Sequence, residues 1–377
     1  MGLKVYLDNH TATRPFKEAL DQMLASYRHS WGSLAAPHQM GQDLYEETTL
    51  SVKKIYASLG ALETDSFFLT SGSAENSTQI FFSHYLETVK ETGKNHFLIS
   101  PLEEAPSILS LNRLETLGCF GKMLSLNSSG HIETETLKAA ISPKTSLVSL
   151  SWANGLTGVI QPLHELMTIC QEKEVLLHVD VSTVIGKLFF RFQDLTCDFM
   201  TFDGEKIHAP KGVGGIFVKE KTPFSSVTSH APHHNTPALF SLRATLETLE
   251  EQFDVTCIET ARLRDKLEKT LQEHLPDTVI FFQDVDRLPH VTALGFPGVY
   301  HEALLFLLHR RGVYASMGGG FSQKLSHLLK ACGIPEPLAS CALSFSLSHE
   351  TTEADIDYAL DVIISSVKKL KACGERL

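Results

Sequence analysis

The strongest constraint on what this chain can fold into is an alternation. Short apolar runs bounded by Gly, Pro, Ser or Asp recur between longer runs with helical spacing. Residues 67–70, 96–100, 145–152, 175–179 and 215–218 are short, apolar and β-branched, and read as strands. Residues 74–92, 105–117, 133–140 and 162–174 carry helical periodicity between them. Strands separated by helices cannot pair through tight hairpins, so the pattern predicts crossover units and a mostly parallel sheet with helices on both faces.

After a long charged helical segment near 242–273 the character changes. Strand-like 279–282, 291–295, 313–315 and 342–347 interleave with helical 301–311, 322–332 and a last helix from Glu353. This reads as a smaller α+β unit of about 110 residues. The expected organisation is a large α/β domain over 15–250, with 1–14 and 251–377 forming the small domain.

Charge and cysteine content narrow the function classes. Lys plus Arg number 33 against 44 Asp plus Glu, a net charge of −11, which gives no general attraction to nucleic acid or anionic lipid. No run approaches the roughly 20 apolar residues of a membrane span, and the N-terminus lacks a signal-peptide core, so a cytoplasmic location is expected. The seven cysteines have no CxxC spacing, which predicts mostly small buried thiols, with no disulfide framework and no metal site. In His230-Ala231-Pro232-His233-His234 no neighbouring Cys or carboxylate completes a ligand set, and a solvated loop is the better reading.

Open α/β sheets bind ligands at the carboxyl ends of their strands. Four such ends carry chemistry here. At Leu69-Thr70-Ser71-Gly72-Ser73-Ala74-Glu75 a strand turns into a helix, giving an anion site or an ordinary N-cap. At Leu177-His178-Val179-Asp180 an acid emerges from an apolar strand, to meet a protonated ring nitrogen or to cap a turn. At Asp203-Gly204-Glu205-Lys206 a lysine sits in a turn before a Gly-rich segment, where an amine can be held for Schiff-base chemistry or simply be solvated. At Trp152-Ala153-Asn154-Gly155, Asn154 can donate to a ligand oxygen or make a turn.

Taken in this order, and with Tyr6-Leu7-Asp8-Asn9, Gly32-Ser33-Leu34-Ala35-Ala36-Pro37-His38 and Thr351-Thr352-Glu353-Ala354-Asp355, the chain resembles the cysteine desulfurase family of class V aminotransferases. These are pyridoxal-phosphate enzymes of fold type I. The resemblance covers essentially the whole chain. It implies that Lys206 forms the internal aldimine, that Asp180 holds the pyridinium nitrogen, and that Asn154 bonds the ring's phenolic oxygen. It also implies an amino-acid substrate and a homodimer.

The same resemblance exposes departures. The ring-stacking His is replaced by Glu104, and the Gln after the Asp by Thr183. The phosphate-binding Thr is replaced by Ala74, with Ser73 offering a neighbouring hydroxyl. The family's Ser-Gly-His-Lys reads Asp203-Gly204-Glu205-Lys206, which sets two carboxylates where a dianion would bind. No cysteine lies between Cys257 and Cys332, so the loop nucleophile is missing, with Phe321 nearest its place. No Arg lies between Arg311 and Arg376 to grip a substrate carboxylate, and Ser344 stands in that segment. No Arg lies between Arg191 and Arg243 to reach a neighbouring subunit's phosphate. Cys332 and Cys341 read as buried thiols, not substitute nucleophiles.

The leading expectation is therefore a pyridoxal-phosphate enzyme of this family with altered amino-acid chemistry and little L-cysteine desulfurase activity. Two alternatives stand beside it. One is a non-catalytic homologue with a scaffolding or regulatory role. The other is a desulfurase that supplies iron–sulfur cluster assembly, through an unidentified sulfur-relay partner.

Overall fold

A computed structural model describes residues 3–227, 235–320 and 323–374. Phe321, Ser322 and the histidines at 230, 233 and 234 lie outside the described residues.

The strands are β1 (Val5–Tyr6), β2 (Ser66–Thr70), β3 (His96–Ile99), β4 (Phe120–Met123), β5 (Thr145–Ser151), β6 (Leu176–Asp180), β7 (Phe199–Asp203) and β8 (Gly214–Val218), followed by β9 (Val279–Ile280), β10 (Val291–Gly295), β11 (Val313–Tyr314) and β12 (Ala342–Ser346). Seven of them form one sheet in the order β2-β8-β7-β6-β5-β3-β4. All its pairings are parallel except those of β8, which runs antiparallel to both β2 and β7. This is the mostly parallel α/β sheet expected from the alternation. β5 and β8 are buried at every position, as strands covered on both faces must be.

Two strands of this sheet escaped the strand pattern. β4 is an edge strand, Phe-Gly-Lys-Met, largely exposed, so it lacks an apolar signature. β7, Phe-Met-Thr-Phe-Asp, is marked in the sequence only by the chemistry at its end.

The helices before the sheet's midpoint are α1 (Lys17–His29), α2 (Gln39–Leu59), α3 (Ser73–His84), α4 (Lys90–Thr92), α5 (Ala105–Glu115), α6 (Thr134–Ala140) and α7 (Leu163–Glu172). A π-helical turn, Tyr85–Val89, joins α3 to α4, so the expected helix over 74–92 is one element with a bulge. The helix α8 (Thr236–His274) then runs unbroken through residue 250. Its first half places Leu239, Leu242, Leu246 and Leu249 in the core beneath the large sheet. Its second half places Leu263, Leu267 and Leu271 in a separate core with Leu294, Leu304, Phe345 and Ile363. The second core is closed by α9 (His301–Arg310), α12 (Glu353–Gly374) and the β12-β10-β9 sheet, while α10 (Leu325–Ala331) and α11 (Glu336–Ala339) pack in a further cluster with Leu102, Leu156 and Phe281. β1 pairs with β11, which ties the N-terminal segment to this second core.

Register fixes what stands at the sheet's carboxyl edge. Ser151 aligns with Asp180, Asp180 with Thr201, and Asp203 with Gly214, which in turn faces Thr70. The ends of β5, β6, β7 and β2 therefore open onto one rim, where ligand sites of such sheets form.

Candidate active site

A cavity at that rim is lined by Lys206, Asp180, Asn154, Thr183 and Glu104, together with His10 and Gln323. It measures about 20 Å³, room for roughly one water molecule. Five of the residues singled out in the sequence thus meet at one place. No Arg lines it.

Lys206 ends a single 3₁₀ turn, Gly204–Lys206, that follows β7. Its Nζ forms an ion-pair contact with Glu104 Oε1, and both side chains are largely enclosed. Burial pulls the Lys206 ammonium down to about 8, opposed by the nearby Glu103 carboxyl. The Glu104 contact favours the charged amine in the same way. The amine is therefore engaged by a carboxylate at the position where the resemblance places a ring-stacking imidazole.

Asp180 accepts from Ser182 N at 3.0 Å, Ser182 Oγ at 3.1 Å and Thr201 Oγ1 at 3.3 Å. Burial raises its carboxyl to about 6 in spite of those donors. Asn154 Oδ1 accepts from Leu156 N, Thr157 N and Thr157 Oγ1, so it organises its own turn and leaves only Nδ2 for a ligand. Thr183 Oγ1 donates to Ala153 O at 2.8 Å. For both Asp180 and Asn154 the turn-making role and the place in the cavity hold together.

The phosphate cradle implied by the resemblance is the β2–α3 turn. Gly72 there has φ +118°, and a Cβ on it would lie 2.9 Å from Asp203 Oδ2. Only glycine tolerates both that conformation and that approach. The anion at the start of α3 is Asp203 itself: Oδ2 accepts from Ser73 N at 2.9 Å and Oδ1 from Glu205 N at 2.9 Å. Beside it, Glu75 Oε2 accepts from Ser71 N at 2.8 Å and Ser71 Oγ at 2.9 Å. The helix's N-terminal donors thus face side-chain carboxylates, an electrostatically favourable pairing. Glu205 turns outward to Lys211 at 2.5 Å. Ala74 lies in the first turn of α3 and does not line the cavity.

A buried polar chain behind the cavity escaped the sequence reading. Glu103 Oε1 lies 3.3 Å from Ser149 Oγ, which lies 2.8 Å from His178 Nδ1. His178 Nε2 lies 2.8 Å from Thr201 Oγ1, and Thr201 reaches Asp180. Burial pushes the Glu103 carboxyl up to about 8, and pushes His178 down to about 3. With Glu103 protonated, each hydroxyl and the neutral imidazole can donate in one direction, ending on the Asp180 carboxylate. The available signals were Glu103 beside Glu104 and His178 two residues before Asp180.

Ser344, in the segment where a carboxylate-binding Arg is missing, donates its Oγ to Leu156 O at 2.7 Å. Cys332 and Cys341 are buried, and burial raises the Cys332 thiol to about 11. Among the described residues no cysteine lines the cavity. No described helix is long and apolar enough to cross a membrane.

Comparison with known proteins matches this architecture. The Aminotransferase class-V family profile covers residues 5–359. A cysteine desulfurase of Sinorhizobium fredii is 31% identical over 97% of this chain and 97% of its own. One from Nostoc sp. is 29% identical over 98% of this chain and 94% of its own. A solved NifS-like protein superposes with a TM-score of 0.87 at 26% identity, covering 100% of both chains. A second, from Rickettsia africae, has a TM-score of 0.85 at 21% identity and shares the fold. The chain belongs to the class-V aminotransferase family, in its cysteine desulfurase branch.

Proposed function

We propose that this chain is a non-catalytic member of that family, a self-associating protein whose pyridoxal-phosphate site is closed by its own carboxylates. The family implies the cofactor, and the donor set of the site argues against it. The phosphate needs N–H donors and cations, yet the Ser73 and Glu205 amides already serve Asp203, and Glu75 serves as acceptor for Ser71. The amine that would form an imine is paired with Glu104. The observation that carries this reading is the Asp203 carboxylate on Ser73 N, the donor a phosphate would require.

Desulfurase chemistry also needs a thiolate to take sulfur, and neither the sequence between Cys257 and Cys332 nor the cavity lining supplies one. The test is sulfide release from L-cysteine with added pyridoxal phosphate and a thiol reductant, against Lys206→Ala. The reading expects the two proteins to be alike. Lys206-dependent turnover of about one per second or faster would overturn it.

A second reading, cofactor binding with altered chemistry, is favoured by one observation. Burial draws Lys206 toward the neutral amine that imine formation requires, within the same cavity as Asp180.

Self-association is supported by an exposed apolar stripe, Leu20, Leu24, Tyr27 and Trp31, with Trp31 68% accessible. The spacing places Leu20, Leu24 and Tyr27 along one side of α1, with Trp31 just beyond its end, a surface that a second copy would cover.

A further inference from the structure

Behind the Lys206 turn lies a second cavity, also of about 20 Å³, at the junction of the two cores. It gathers Lys187 from the loop after β6, His208 from beyond the Lys206 turn, Cys257 from α8, His290 before β10 and His349 after β12. No acid lines it. Lys187 Nζ donates to the backbone oxygen of Lys206 at 3.1 Å, and among the described residues no carboxylate lies within ion-pair distance of it. His290 is 7% exposed, and its Nδ1 has no partner. An enclosed ammonium with no counter-ion, beside an unpartnered imidazole nitrogen, is a costly arrangement unless something fills the gap.

We propose that this cavity binds one small monovalent anion of halide size, held by the Lys187 ammonium and an N–H of His290. The charge balance selects the class. Burial and the Lys187 charge hold His208, His290 and His349 below the ordinary imidazole range, so the imidazoles are neutral donors near pH 7. His10 and Arg264 also bear on His290, in the same direction. Burial raises the Cys257 thiol, which stays protonated. Burial draws the Lys187 ammonium down to about 8, so it still carries its charge at pH 7, and Glu350 and Glu18 act on His349 from outside the lining. The lining therefore presents one positive charge, and a single negative charge neutralises it. Three imidazoles and a thiol suggest a metal at first sight. Among the described residues, however, no group of three or more His, Cys, Asp or Glu is arranged to hold one. A volume of about 20 Å³ has room for one monatomic ion and excludes polyatomic anions such as sulfate, phosphate and carboxylates. Because Lys187 also holds the Lys206 carbonyl, the anion would fix the turn that carries Lys206. This inference does not rest on the catalytic status of the neighbouring site.

The experiment uses the full chain at pH 7 and constant ionic strength, with sodium gluconate replaced stepwise by sodium bromide. Melting temperature should rise saturably by roughly 2–4 °C in bromide. Lys187→Met should abolish the rise. His290→Leu, which keeps the ammonium, should weaken the apparent bromide affinity by about tenfold, the effect of one lost hydrogen bond of typical strength. Crystals soaked in bromide should show an anomalous peak between Lys187 Nζ and His290 Nδ1. Equal melting in the two salts, an equal bromide rise in Lys187→Met, or a soaked crystal with no anomalous peak there would each overturn the site.

Discussion

Replacing Asp203 with Ser removes the group that occupies the phosphate cradle, and it should convert a site closed to pyridoxal phosphate into one that binds it. In the wild type an incoming phosphate must first displace two hydrogen bonds to a carboxylate, from Ser73 N and Glu205 N, both 2.9 Å long. Hydrogen bonds to a charged group contribute about 1.5–3 kcal/mol each, so displacement costs about 3–6 kcal/mol. A carboxylate pushed aside but still about 4 Å from the phosphate adds roughly 4 kcal/mol per unit charge pair at an effective dielectric of 20. Even the lower displacement figure, about 3 kcal/mol taken alone, corresponds to about a hundredfold in affinity. Asp203→Ser should therefore bind pyridoxal phosphate at least about 100 times more tightly than the wild type, read by fluorescence or absorbance titration. The substitution also removes an acceptor from the start of α3, which should cost about 1 kcal/mol of stability. If wild type and variant bind with equal affinity, Asp203 is not the obstacle and the electrostatic argument fails.

Two further outcomes follow from the same structure. Glu103, raised from 4.5 to about 8, contributes stability that is full below pH 4.5 and is lost as the pH rises through about 8. Its slope is at most about 1.4 kcal/mol per pH unit. Glu103→Gln keeps a donor for Ser149 and cannot ionise, so urea unfolding should show wild type losing stability relative to the variant between pH 6 and 8, and parallel profiles would contradict the proton assignment. Leu24→Glu with Tyr27→Glu should turn a dimer into a monomer by sedimentation at micromolar concentration, and a wild type already monomeric there would remove the self-association reading.

Much of the fold was legible because the strands buried on both faces have no alternative use for so many apolar residues. β5, β6 and β8 fell within two residues of the expected bounds. β4 was not legible because an exposed edge strand has no buried face to write into the sequence. α1 and α2 are regular helices without a clear pattern in the sequence: α1 buries only Ala19 and Ser26, and in α2 the buried Leu44, Ile55 and Leu59 are interrupted by Gly41, Thr48 and Ser51, which carry little apolar signal. At the site, Lys206, Asp180 and Asn154 were legible from their places at strand ends. The opposite fates of Asp203 and Glu205 were not. Both are carboxylates two residues apart, and only the 3₁₀ turn decides that one caps α3 while the other reaches Lys211. The Glu103–Ser149–His178–Thr201 chain was invisible for a related reason. It joins four separate segments: strand register sets Ser149, His178 and Thr201 side by side, and Glu103 comes in from the loop after β3.

The closed cofactor site is tested most directly by the absorbance spectrum of the purified full-length protein incubated with excess pyridoxal phosphate and then desalted. The account predicts no internal-aldimine band, and no Lys206-linked phosphopyridoxyl adduct by mass spectrometry after borohydride reduction. A yellow band that survives desalting, disappears on reduction and is absent in Lys206→Ala would contradict it.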